Sequence, residues 1–242
     1  SDGTYTTSPY YTLGQRNNAL DIGNYSVAEG FSTAASGYCS HAEGTKSKAS
    51  GSSSHAEGTQ TKASGTASHA EGANTEATGT DSHAEGFSTT ASGTASHAEG
   101  YGGIASGAYS HASGYYTIAE GVYSYAGGEE TIAKGEAQTA IGKYNVTNAS
   151  SAFIIGNGTS DTNRSNALTV DFNGNLNAGG TIAAAGNITS NGGHKVIHDG
   201  RFKTSTQTVT TDKYGQASLT RPSDFAYALG IHSESYEYGV FW

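Results

Sequence analysis

From Gly23 to Gly142 a glycine occupies every seventh position without a miss. An alanine stands two residues before each of them from Ala28 to Ala140, and four before is nearly always serine or threonine, as in Ser40, Thr61, Ser82 and Thr117. A second rhythm doubles the first. Ser-His-Ala-Glu-Gly recurs at 40–44, 54–58, 68–72, 82–86 and 96–100, alternating with Thr/Ser-x-Ala-Ser/Thr-Gly segments such as 47–51, 61–65 and 89–93. The repeating unit is therefore fourteen residues, made of two half-turns.

Within each five-residue segment Ser, Ala and Gly share one face and the other two residues share the opposite one, which is strand alternation. The Ser/Ala/Gly face carries only small side chains, so two backbones can approach closely there. Glycine is expected to end each strand because the corner after it needs a backbone geometry that a Cβ obstructs. Five residues of strand and two of corner, taken twice, predict one flattened coil per fourteen residues. Parallel strands of successive coils stack about 4.8 Å apart, so about eight to nine coils make a rod about 40 Å long. A helix is excluded, since each glycine costs about 1 kcal/mol in a helix interior. Collagen is excluded because it requires glycine at every third residue.

Composition fits a repeat rather than a layered domain. The 242 residues include 35 glycines, two prolines and no methionine, and only 34% are hydrophobic. Low hydrophobicity with a net charge of −9 is a signature of disorder, but sixteen tyrosines and the regular repeat oppose it. Stacked repeats bury small residues against their neighbours, so a thin core suffices. Positions 143–242 hold seven basic and seven acidic residues, which places nearly all the negative surplus in the repeats. That argues against nucleic acid and anionic membranes as partners. The single cysteine, Cys39, excludes an internal disulfide framework and a cysteine-based metal site, and reads as a small half-buried repeat residue. No apolar run nears the ~18 residues that span a membrane, so no membrane insertion is expected. The chain begins at Ser1 with no signal peptide, which reads as a piece of a longer protein.

The Ser-x-Ala-x-Gly half-repeat on a fourteen-residue period, over 23–142, resembles the head of YadA-type trimeric autotransporter adhesins, a module also found in phage and prophage tail fibres. The resemblance implies a left-handed parallel β-roll, three copies of which pack around a three-fold axis. The expected fold class is then all-β: a left-handed parallel β-roll solenoid with 14-residue coils, homotrimeric, followed by a β-rich neck and a small C-terminal β segment. The corresponding division is 1–22 as N-terminal cap or linker, 23–142 as roll, 143–200 as neck and 201–242 as the C-terminal segment, the start of a receptor-binding domain. In that family the variable positions of one strand are aliphatic and face the axis. Here histidine and glutamate stand there, and only Val27 and Ile141 keep the aliphatic type.

His41, His55, His69, His83, His97 and His111 form a column one coil apart, and Glu43, Glu57, Glu71, Glu85 and Glu99 form a second column two residues along. If that face meets the axis, each coil supplies three histidines and three glutamates to the interior. Buried charge survives when paired and hydrogen-bonded, and His and Glu offer complementary groups at i and i+2 or across subunits. A polar interface of this kind is the reading adopted, and it implies stability that varies with pH near neutrality. A metal or anion held by three histidines per layer, and a plain solvent-facing column, are the alternatives. No metal and no cofactor is expected. His-Ala-Glu also occurs in zinc deaminases, but the Pro-Cys-x-x-Cys partner is absent. A Ser/His/Glu triad is disfavoured because Ser40 and His41 point to opposite faces of a strand, and a catalytic site is not normally copied five times.

The other strand contributes Ala34, Lys48, Lys62, Glu76, Thr90, Ile104, Ile118 and Ile132, polar at first and apolar in the late coils. Those coils also bring Tyr101, Tyr109, Tyr115, Tyr116, Tyr123 and Tyr125. Exposed aromatics on a rigid scaffold can grip sugars or protein surfaces, and the alternative is packing against a neighbouring segment. Past Gly142 the seven-residue rhythm stops, and 152–155, 167–172 and 180–188 read as strands, with a turn at Asn173-Gly174. The stretch 153–180 resembles segments of phage tail fibres. Strands are expected at 206–211 and 217–219. His194, His198 and Asp199 read as surface residues rather than metal ligands, while Tyr236, Tyr238 and Trp242 could line a binding face.

These readings converge on a non-enzymatic extracellular rod: part of a phage or prophage tail fibre, homotrimeric, presenting a surface to a host-cell glycan or protein. A bacterial trimeric adhesin at the cell surface is the alternative. A tail-spike depolymerase is the least favoured, because it would require paired carboxylates in a groove rather than columns.

Overall fold

The computed structural model describes residues 11–15 and 22–182. The expectations for 206–211, 217–219, His194, His198, Asp199, Tyr236, Tyr238 and Trp242 lie outside the described residues. Among the described residues there is no helix, and two sheets run side by side. One has thirteen strands and the other eight. In both, each strand of the roll pairs in parallel with the strand fourteen residues on, as in His55↔His69 and Lys48↔Lys62. The chain forms a parallel β-solenoid of about 9 turns with 14-residue coils.

The two half-turns are not equivalent, which corrects the expected symmetric coil. The Ser-His-Ala-Glu-Gly half makes a strand that starts at the histidine, mostly five residues long, as in His41–Thr45 and His97–Tyr101. The other half makes only two residues of strand, as in Lys48–Ala49 and Ile104–Ala105. Hydrogen bonding explains the difference. Ser50 and Gly51 both donate their N–H to the Ala63 carbonyl, so the ladder converges on one acceptor and ends. A turn follows at 51–54, closed by Ser54 N–H donating to Gly51 O at 3.3 Å. Its third residue, Ser53, has φ +56°, the signature of a turn with a left-handed third position. The serine hydroxyl donates to the same carbonyl, at 2.7–2.9 Å for Ser40, Ser54, Ser68, Ser82, Ser96 and Ser110. That bond is why serine precedes each histidine.

At the corners alternate clock glycines, such as Gly44 and Gly58 at φ +95° and +105°, hold a backbone conformation that favours glycine, as expected. The left-handed position falls two residues after each clock glycine, and seventeen of these residues between Tyr25 and Tyr144 are not glycine. The clock glycines also meet a second requirement. A Cβ on Gly51, Gly65 or Gly58 would lie closer than 3.0 Å to a backbone carbonyl of the next coil. Coils stack carbonyl against Cα at those positions, and only hydrogen fits between them.

The core is a column of seventeen alanines from Ala28 to Ala140, each at most 1% exposed. Larger side chains enter it only towards the ends, where Ile22 bridges to Ala35 and Ile154 follows Ala140 in register. The backbone ladders therefore carry much of the order of this fold, since every buried N–H and C=O must find a partner. The parallel sheet extends beyond the repeat on both sides. Tyr11–Gln15 pairs with Val27–Phe31, and Ser151–Asn157 pairs with Thr139–Lys143, with Gly142 opposite Gly156. The fourteen-residue period thus outlasts the seven-residue one by a coil. Two antiparallel strands, Asn166–Asp171 and Leu176–Ala178, then follow around a turn with Gly174 at φ +83°.

Candidate functional site

The outward positions of the long strands form the first candidate site. Six imidazoles from His41 to His111 stack face to face with centroids 4.7–4.8 Å apart and planes within 16° of parallel. Parallel in-register strands dictate this, because identical side chains are carried one coil apart with the same rotamer. The glutamates pair diagonally rather than at i and i+2. Three accept from the histidine twelve residues on: Glu57 with His69 at 3.3 Å, Glu85 with His97 at 3.1 Å and Glu99 with His111 at 3.3 Å. Glu71 Oε1 lies 3.4 Å from His83 Nε2 without hydrogen-bond geometry, and Glu43 lies 3.9 Å from His55. The side chains are about one-third exposed.

Stacking sets the electrostatics. Burial, reinforced by the imidazoles above and below, holds His55 and His83 below the usual histidine value, and the flanking glutamates oppose this only in part. The Nε2 atoms of His41, His55 and His83 are sheltered from solvent and make no hydrogen bond within the chain. The ladder ends at His111. Beyond it Ser113 replaces glutamate and Tyr125 replaces histidine, the Tyr125 hydroxyl lying 2.9 Å from Ser113 Oγ. The Tyr125 ring covers Gly127, where a Cβ would meet it. Further along the column stand Ile141, Phe153 and Ile155, all half-buried. The serines beside the histidines are turned inward and bonded to backbone, so Ser40 and His41 do not converge.

The tyrosines divide between the two corners of the coil. Tyr101 and Tyr115 stack at 5.3 Å after the long strands and continue to Phe87 at 4.9 Å, a member the sequence reading missed. Tyr116 meets both tyrosines edge-on. Gly102 makes room for it, since a Cβ there would strike the Tyr116 ring. Its bond to the Tyr101 hydroxyl raises the Tyr116 phenol above its usual value. Tyr109 and Tyr123 stack at 5.2 Å on the other corner. The late-coil tyrosines thus form two ladders, with Tyr125 apart from both and edge-on to His111. Cys39 also differs from expectation: it is exposed at a corner with φ +52°.

Beside the first ladder lies a groove floored by Ile104, Ile118 and Ile132, walled by Tyr116 and rimmed by Glu130, Asp161 and Arg164. The isoleucine column was visible in sequence, but the rim was not. Arg164 donates to Asp161 at 2.6 Å and, through Nη1, to the Glu130 carbonyl at 2.8 Å. Its guanidinium lies 5.8 Å from the Tyr144 ring centroid. These bonds commit Arg164 to holding the 158–165 loop against the roll rather than to an anionic ligand. No family model matches the chain, and no curated protein matches it either.

Proposed function

We propose that this chain is the rod of a trimeric tail fibre that holds a binding surface against a host cell. The observation that carries the reading is the continuous outward column of the long strands. It is self-complementary in its His/Glu section and apolar where Ile141, Phe153 and Ile155 take over. A row of acceptors beside a row of donors suits contact with another copy, because each imidazole left unpaired within the chain can meet a carboxylate across the axis. The left-handed β-roll, its three-fold packing and the tail-fibre assignment rest on the YadA-head resemblance of 23–142 and the tail-fibre resemblance of 153–180. The aromatic corners and the isoleucine groove are then left facing outward for the host surface, where rigid aromatic faces suit a glycan or protein. A bacterial trimeric adhesin would use the same rod.

Mass measurement by light scattering tests the assembly. Three copies are expected for the parent, and single chains for the double variant Ile141→Asp/Ile155→Asp. A monomeric parent at micromolar concentration, or a variant that stays trimeric, removes the axial placement. Binding to a panel of bacterial cells, eukaryotic cells and purified glycans separates fibre from adhesin. Loss of binding in Tyr101→Ala/Tyr115→Ala places the contact on the first ladder.

A further inference from the structure

We propose that the His/Glu face is a row of divalent transition-metal sites, zinc foremost, each complete within one chain. Four groups bring three donor atoms within 4.8 Å of one another: Glu29/His41/Glu43, His55/Glu57/His69, His83/Glu85/His97 and His97/Glu99/His111. The last two share His97, so three groups can be filled at once. Each of the first three also contains one of the imidazole nitrogens, His41, His55 and His83, that is sheltered and makes no hydrogen bond. Glu71 and Glu43 face His83 and His55 at 3.4 and 3.9 Å without bonding them, and a sheltered nitrogen that makes no hydrogen bond is destabilising unless something occupies it.

The donor chemistry selects the ion. Imidazole with carboxylate suits zinc, cobalt, nickel and copper, whereas magnesium and calcium prefer oxygen alone. The hydrogen-bonded Glu-to-His separations of 3.1 and 3.3 Å in the second to fourth groups are close to the spacing of neighbouring ligands, about 3.3 Å, around a tetrahedral ion with bonds of about 2.0 Å. An ion can therefore replace the bridging proton with little movement. The remaining donor of each group closes by side-chain rotation, which a partly exposed face permits. The column also stacks five glutamates from Glu43 to Glu99 one coil apart, with no lysine or arginine on it. A divalent ion offsets that like-charge repulsion. Ions in alternate coils stand about 10 Å apart, far enough for simultaneous filling. Because every donor of a site belongs to one chain, the ions are held without a second copy; in the trimer proposed above they take up the imidazole nitrogens in place of a carboxylate from another copy.

Zinc titration of the untagged, chelator-stripped protein, read as ions per chain by calorimetry and equilibrium dialysis, tests it. The expected ratio is near three. His83→Gln leaves it near three, since His97/Glu99/His111 takes over, while His97→Gln lowers it to near two. The pair Glu85→Gln and Glu85→Gln/Glu99→Gln repeats the comparison without altering an imidazole, with near three and near two expected. Circular dichroism identifies any variant that fails to fold, and the other pair then decides. No saturable zinc binding, equal losses in His83→Gln and His97→Gln, or magnesium binding as tight as zinc overturns the proposal.

Discussion

The Asn145 side chain stands in for a missing strand beside Ile132. Its Oδ1 accepts the Ile132 N–H at 2.7 Å and its Nδ2 donates to the Ile132 carbonyl at 3.0 Å. The short-strand sheet ends at Ile132–Ala133, and an open strand edge would otherwise present both groups unpaired. Asn145 is fully buried. Replacing it with alanine strands those two groups, and a loss of about 1–3 kcal/mol is expected by denaturant titration. Asn145→Asp keeps the acceptor and removes the donor, so its loss should also be measurable.

The glycine clock predicts a sharp contrast. At Gly65 an added Cβ would meet the Gly79 carbonyl, a backbone atom that cannot rotate away. Gly65→Ala should destabilise by at least about 3 kcal/mol, the upper range for overpacking. At Gly174 nothing lies within 4 Å, and only the φ of +83° opposes a side chain. Gly174→Ala should therefore lose only about 1 kcal/mol. Equal losses at the two positions would show that close stacking is not what selects glycine.

Alanine-to-glycine changes at the corners should have the opposite of their usual sign. Ala67, Ala95 and Ala137 are exposed and hold φ of +53°, +50° and +51°. A left-handed alanine costs about 1–2 kcal/mol, while glycine costs about 0.4–1 kcal/mol through the unfolded chain. Each substitution should stabilise by about 0.5–1 kcal/mol, and Ala67→Gly and Ala95→Gly, two coils apart, should add. Thermal melts of the singles and the double check this.

Much of this was legible beforehand, and the failures share one cause. Fourteen-residue spacing gives the coil, and alternation within Ser-His-Ala-Glu-Gly gives the outward His and Glu columns, because both follow from residues close in sequence. The diagonal Glu57–His69 pairing, the Arg164 bond to Glu130 and the Asn145 cap join residues 12, 34 and 13 positions apart. No periodic reading assigns such partners. The unequal strands were hidden for a related reason: Ser50 and Gly51 compete for one carbonyl, which spacing alone does not reveal.

Acid should weaken the metal-free chain. His55 and His83 sit below the usual histidine value when folded, so the unfolded chain binds their protons more readily. Their contribution is complete above the unfolded value of about 6.5 and is lost as pH falls through the lower folded values. Melting temperature in the presence of a chelator should thus drop between pH 7 and about 5.5, and His55→Gln/His83→Gln should flatten the drop. A melt that rises on acidification would contradict the stacking account.

Gly142 opposite Gly156 marks one further coil added in register, although Ala149 stands at the seventh position and Ile154 in the alanine column. Reach is then a quantised trait, set in steps of about 4.8 Å by the number of coils. Near-identical neighbouring repeats are also substrates for recombination slippage in their coding DNA. A lineage can lengthen or shorten the rod by whole steps, keeping both ends and their register, without inventing a single new contact.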